Sequence, residues 1–253
     1  MKISVCGKGG SGKSTVVALM TRAAQKKGYS VLVVDSDESN SGLFRTLGFE
    51  APPVPLMELL GGKASVKKRM GSPSLFEKSA ITVEDITHPH IQRQGGRMLI
   101  SIGKILHSLE GCACPMGVVS REFLKKLRLG KKEIAFVDME AGVEHFGRGI
   151  DEGIDQVLLV VEPSFESVMI AERIKDLANG LKKGAVAVLN KAPSENVAQR
   201  LKHELKKKGI VLIGIIPNDP DIFDASLTGS PLQKGEAISA AENIFDRLIV
   251  QSA

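Results

Sequence analysis

One octapeptide near the start of the chain, Gly7-Lys8-Gly9-Gly10-Ser11-Gly12-Lys13-Ser14, limits the possible folds more than any other feature. It fits G-x-x-x-x-G-K-[ST], follows the apolar run Ile3–Cys6 and opens a helical stretch at Lys13, the context that makes the motif credible. Glycines let the backbone curl so that successive N–H groups face one anion, and the start of the helix adds partial positive charge. Gly9, Gly10, Ser11 and Gly12 therefore form the expected phosphate cradle, with Thr15 just beyond it. Lys13 is placed to reach the β- and γ-phosphates, and the Ser14 hydroxyl to ligate Mg²⁺. A dinucleotide loop would need G-x-G-x-x-G spacing and would not favour this lysine. The expectation is a nucleoside triphosphate site.

The rest of the chain suits a sheet that could carry such a loop. Ile3–Cys6, Val31–Val34, Met98–Ile102, Ile134–Val137, Gln156–Val161, Ala185–Leu189 and Val211–Ile216 read as strands. Most are continuously apolar, as parallel strands covered on both faces are. Between or after them lie helical stretches, Lys13–Lys27, Pro115–Leu127, Phe165–Leu181, Ser194–Lys208 and Ala237–Val250. Gly28 and Gly209 are placed as helix stops. This alternation predicts a doubly wound α/β fold: a mostly parallel sheet of about seven strands, flanked by helices in one P-loop domain spanning residues 1–253. Residues 51–97, rich in Pro and Gly, break the rhythm and read as an irregular insertion, either a surface excursion or a binding loop.

Composition narrows the function classes. The longest unbroken aliphatic run, Val157–Val161, is far short of the roughly 18 residues a membrane span needs, so no membrane role is expected. Three cysteines and no secretory signal at the N-terminus predict a reducing cytoplasm. Lys plus Arg exceeds Asp plus Glu by 34 − 29 = +5, a mildly basic balance. With no Trp and one Tyr, stacking platforms are scarce, and no nucleic-acid partner is expected.

Two strands end in carboxylates, where open α/β sheets bind ligands. The second runs Val33-Val34-Asp35-Ser36-Asp37, and the fourth Phe136-Val137-Asp138-Met139-Glu140-Ala141-Gly142. Asp138 suits a water-mediated Mg²⁺ contact, and the Gly142 N–H is a candidate donor to the γ-phosphate. Asn190 and the pair Pro217-Asn218 close later strands. No Asp-bearing guanine motif is present, which favours ATP over GTP.

The second lysine of the loop makes it K-G-G-x-G-K-[ST], which resembles the deviant loop of dimeric ATPases: septum-site and partition ATPases, the arsenite-pump ATPase and the nitrogenase iron protein. That resemblance implies a nucleotide-dependent homodimer in which Lys8 reaches the partner's nucleotide. It implies that Asp37 orients the attacking water and that Asp35 belongs to the Mg²⁺ surroundings. It also places adenine near Asn190, Pro217 and Asn218.

Cys112-Ala113-Cys114 is a feature that a generic ATPase does not need. An eleven-membered disulfide ring between them would be strained, whereas two thiolates suit a soft or borderline metal. A closed tetrahedral site needs four ligands, which a two-fold dimer would supply. The run Gly111–Cys114, the stretch Asp138–His145 with Arg148-Gly149, Val34–Asp37 and Gly214–Pro217 together resemble the carbon monoxide dehydrogenase accessory ATPases of CooC type. The resemblance implies ATP-dependent dimerisation coupled to nickel delivery to the dehydrogenase cluster, with Cys112 and Cys114 as the metal site. Zn²⁺ would also fit four thiolates. Ser36, Glu38 and Glu140 depart from that family's pattern. Cys6 reads as core, and His145 as structural more readily than ligating. Two alternatives stay open: a partition or cell-division ATPase, and an iron–sulfur reductase like the nitrogenase iron protein.

Overall fold

Continuous aliphatic runs become a parallel sheet that sandwiches itself between two helical layers. The computed structural model describes residues 1–105 and 114–251. Its strands are β1 (Lys2–Gly7), β2 (Ser30–Asp35), β3 (Gln92–Gln94), β4 (Arg97–Ser101), β5 (Glu133–Asp138), β6 (Gln156–Val161), β7 (Gly184–Ala192) and β8 (Val211–Pro217). They form one sheet in the order β3-β4-β2-β5-β1-β6-β7-β8. All neighbours pair in parallel except β3, which runs antiparallel to β4. About seven strands were expected from the sequence, and the described residues hold eight. The addition is β3, whose Gln-Arg-Gln sequence carries no apolar alternation and which pairs only at the sheet edge.

Alternate residues of a strand face opposite sides, so each strand feeds two cores. Ile3 and Val5 of β1 join the layer containing Val16, Met20, Ala241 and Phe245, from helices Lys13–Lys26 and Glu236–Val250. Cys6 joins the opposite layer with Val119, Phe123, Ile174 and Leu205, from helices Cys114–Lys126, Phe165–Gly180 and Glu195–Lys207. Phe123 and Phe136 are fully buried; each such side chain contributes about 1.5–3 kcal/mol by leaving water. Gly28 follows helix Lys13–Lys26 and Gly209 follows helix Glu195–Lys207, as the stop signals predicted. Ser164 and Ser194 cap two helices, their hydroxyls accepting from the backbone N–H groups of Ser167 and Val197.

Residues 51–97 carry short helices at Leu56–Leu59 and Gly62–Arg69, a 3₁₀ turn at Val83–Asp85, and β3. Leu56, Val66, Leu75 and Val83 of this segment are buried in the same core as Phe123. It therefore packs over helix Cys114–Lys126 and shares its core. Helix Pro220–Thr228, absent from the sequence reading, follows β8. It buries no residue fully, and Ile222 and Ala225 rest partly buried against the core, too short an apolar stretch to show a period. Among the described residues, no helix is long and apolar enough to cross a membrane.

Candidate nucleotide-binding site

β1 lies between β5 and β6, and later strands build outward on the other side of it, so the crevice at its C-terminal end is the switch point of the sheet. The loop 8–12 occupies that crevice. Its glycines answer steric demands: a Cβ on Gly7 would lie 2.5 Å from the Val160 carbonyl oxygen, and one on Gly12 2.3 Å from Asn190 Nδ2. Gly12 also has φ of +90°, a conformation that disfavours side chains. It stands at the start of helix Lys13–Lys26 without a side-chain cap, leaving the first-turn N–H groups available to an anion. Lys13 is buried, with Nζ 3.4 Å from the Lys8 carbonyl oxygen. Thr15 is half-buried beside it.

Ser14 Oγ donates to Asp138 Oδ2 at 2.6 Å and accepts from Asn40 Nδ2 at 2.7 Å. Register pairs Asp35 with Asp138 across β2 and β5, so two buried carboxylates end neighbouring strands side by side. Burial pushes Asp138 up to about 7, against the Ser14 hydrogen bond, and the nearby Asp35 raises it further. Burial likewise raises Asp35 to about 6, although Lys104 Nζ sits 2.7 Å from its Oδ2. One oxygen of each carboxylate, Oδ1, is buried without a hydrogen-bond partner. Like charges meet, two acceptors stand unsatisfied, and a hydroxyl is adjacent. That donor set has the chemistry to hold Mg²⁺.

Asp37 is nearly buried, and its Oδ1 accepts from the N–H and hydroxyl of Ser39 and from the N–H of Asn40. The Gly142 N–H donates to the Gly7 carbonyl oxygen at 3.2 Å, joining the turn after β5 to the phosphate loop. Lys8 Nζ is 3.0 Å from Glu162 Oε1 and 3.7 Å from Glu166 Oε2, and the hydrogen bond to Glu162 raises its pKa. Lys191 pairs with the other Glu162 oxygen at 3.6 Å and donates to the Gly10 carbonyl oxygen. Asn190 is buried, its Nδ2 donating to the Ser11 carbonyl oxygen at 2.8 Å, so its amide nitrogen braces the loop here. Pro217 ends β8, and Asn218 is exposed, its N–H bonded to the Ala192 carbonyl oxygen.

Cys112 lies outside the described residues. Cys114 opens helix Cys114–Lys126 from an exposed position, and its sulfur is in a disulfide. Metal binding there requires the reduced thiol. The three departures from the family pattern gather next to this helix. Ser36 Oγ lies 2.9 Å from Ser120 Oγ. Arg148 packs against Gly117, pairs with Glu140 at 2.8 Å and approaches Glu38 at 3.8 Å. Burial and the adjacent Glu140 raise Glu38 to about 7.

Sequence reasoning missed Asn40, Lys104, Glu162 and Lys191. Glu162 and Lys191 had a usable signal, since each is a charge just after or within the polar end of a parallel strand, at the ligand-binding edge. Lys104 had none, because its pairing with Asp35 spans 69 residues of sequence.

Residues 3–232 match the CobQ/CobB/MinD/ParA nucleotide binding domain family. An uncharacterised ATP-binding protein of Methanocaldococcus jannaschii is 39% identical over 92% of this chain and 94% of its own. The carbon monoxide dehydrogenase accessory protein CooC of Rhodospirillum rubrum is 34% identical over 72% of this chain and 70% of its own. Among solved structures, the septum site-determining protein MinD of Pyrococcus horikoshii, complexed with Mg-ADP, superposes with a TM-score of 0.71 at 18% identity, covering 100% of this chain and 98% of that one.

Proposed function

The chain belongs to the CobQ/CobB/MinD/ParA nucleotide-binding family, and from that premise we propose that it is an ATPase whose ATP-dependent homodimer delivers nickel to carbon monoxide dehydrogenase. One observation carries the reading beyond ATP hydrolysis. Cys114 heads a helix that touches both acidic turns of the nucleotide site, through Ser36–Ser120 and through Arg148 against Gly117. A change in either turn on nucleotide binding moves the base on which Cys114 stands. The CooC protein of R. rubrum, at 34% identity, supplies the client by similarity.

Each residue then has a task. The N–H groups of Gly9, Gly10, Ser11 and Gly12, with those of Lys13, Ser14 and Thr15, bind the phosphates. Lys13 spans the β- and γ-phosphates. Ser14, Asp35 and Asp138 would hold Mg²⁺, which would supply charge neutralisation of the phosphates. Asp37 accepts a hydrogen bond from the attacking water and orients it toward the γ-phosphate. The Gly142 N–H turns from Gly7 to the γ-phosphate. Asn190, Pro217 and Asn218 border the adenine.

Lys8 serves the partner's nucleotide and must leave Glu162 to do so. Dimerisation sets Cys112 and Cys114 of both protomers together, giving four thiolates for one Ni²⁺, with Zn²⁺ a competitor. A reducing cytoplasm keeps the pair in its thiol form. Light scattering with and without ATP, under reducing conditions, tests the dimer. Wild type doubles its mass with ATP, and Lys8→Ala binds ATP but stays monomeric. An unchanged ATP-dependent dimer in Lys8→Ala refutes the trans role.

A further inference from the structure

A second cluster of donor groups lies beneath the nucleotide site, apart from the residues assigned above. Cys6, His145 and Asp151 are each 0% exposed. They come from three elements: β1 one residue before the phosphate loop, the turn Glu144–Gly147, and the 3₁₀ turn Ile150–Gly153. One ligand atom from each, a sulfur, a ring nitrogen and a carboxylate oxygen, lies within 4.8 Å of the other two. His145 Nδ1 is 2.6 Å from Asp151 Oδ2.

The cluster is not satisfied by its own contacts. His145 Nε2 and Asp151 Oδ1 are buried without hydrogen-bond partners. Ser4 Oγ, on the same face of β1 two residues earlier, is also buried and unpartnered. An unsatisfied buried polar atom costs about 1–3 kcal/mol, and two of them belong to this cluster. A buried thiol, imidazole and carboxylate within reach of one another make a donor set for a cation.

We propose that Cys6, His145 and Asp151 form a buried structural site for one borderline divalent cation of the Zn²⁺ or Co²⁺ class in each protomer. Mixed sulfur, nitrogen and oxygen donors select such ions over Mg²⁺, which prefers oxygen alone. Bond lengths of about 2.3 Å to sulfur and 2.0–2.1 Å to nitrogen and oxygen separate the donors of a tetrahedral ion by roughly 3.5 Å, so closing the cluster takes shifts of about 1 Å. The ion displaces an imidazole proton, and its affinity rises with pH. It ties β1, at the root of the phosphate loop, to the turn that follows Gly142. This site needs no nickel at Cys112 and Cys114.

The test uses the full chain carrying Cys112→Ala and Cys114→Ala, which leaves Cys6 the one thiol. Because the cluster is closed to solvent, Co²⁺ is added both to the native protein and during refolding from denaturant. The expected result is one Co²⁺ per protomer with a thiolate-to-cobalt charge-transfer band in the near ultraviolet. Adding Cys6→Ser abolishes the band, and adding Asp151→Asn weakens Co²⁺ binding at least tenfold while keeping it. Zn²⁺, but not Mg²⁺, raises the melting temperature of the two-alanine protein, a readout that does not depend on further substitutions folding. No thiolate band after either treatment, or a band that survives Cys6→Ser, overturns the proposal.

Discussion

In metal-free protein, replacing Asp138 by Asn should raise stability, by an amount set by pH. The carboxyl is wholly buried and raised to about 7 from an unfolded value near 3.8. About three units correspond to about 4 kcal/mol. The folded chain therefore holds this proton more tightly than the unfolded chain between about pH 4 and pH 7. Below that window both states are protonated and the group contributes nothing. As pH rises through it, ionisation costs the folded state progressively more, reaching the full amount above about pH 7. Asn keeps an acceptor for the Ser14 hydroxyl and never ionises, so it removes the cost. Urea unfolding of both proteins in a chelator at pH 4, 6 and 8 should show nearly equal stability at pH 4. At pH 8 the variant should be the more stable by up to about 4 kcal/mol. Saturating Mg-ATP should erase or reverse that advantage, because a bound cation needs the carboxylate. An advantage independent of pH, or none at pH 8, would refute the burial argument.

Lys13→Ala should lose ATP affinity, whereas Asp37→Ala should bind ATP normally and slow single-turnover hydrolysis by at least about 100-fold; normal turnover in the latter removes its role. Glu162→Gln frees Lys8 from its surface ion pair, so the ATP-dependent dimer should tighten by up to about fivefold in a dilution series, and an unchanged midpoint would eliminate Glu162 as a competitor. Gly12→Ala forces a methyl to within 2.3 Å of Asn190 Nδ2 at a φ of +90°, and should lower stability by about 1–3 kcal/mol along with ATP affinity, both read by thermal melts with and without nucleotide.

What the sequence made legible was local. The phosphate loop, the continuous apolar runs and the cap positions are each written in adjacent residues, and they correspond to β1, the parallel strands and the helix ends. Asp35 and Asp138 were readable as strand-end carboxylates, but their side-by-side register was not, because it depends on β2 and β5 pairing across about a hundred residues. Separations of 69 and 154 residues likewise hid Lys104 from Asp35 and Lys8 from Glu162. Strand β3 and helix Pro220–Thr228 escaped for the opposite reason: β3 is polar, and the short helix buries no residue fully, resting on the core through Ile222 and Ala225 alone. Cys6 and His145 were visible singly. Only the fold brings them together with Asp151, 145 residues from Cys6 along the chain.

The coupling of nucleotide to a shared thiolate site is tested most directly by nickel stoichiometry. Equilibrium dialysis against Ni²⁺, under reducing anaerobic conditions with ATP bound, is run on wild type and on Cys112→Ala with Cys114→Ala, with mass analysis alongside. The difference between the two should be one nickel per dimer, and it should vanish when Lys8→Ala blocks dimerisation. A difference of one nickel per protomer, or none, would contradict the account.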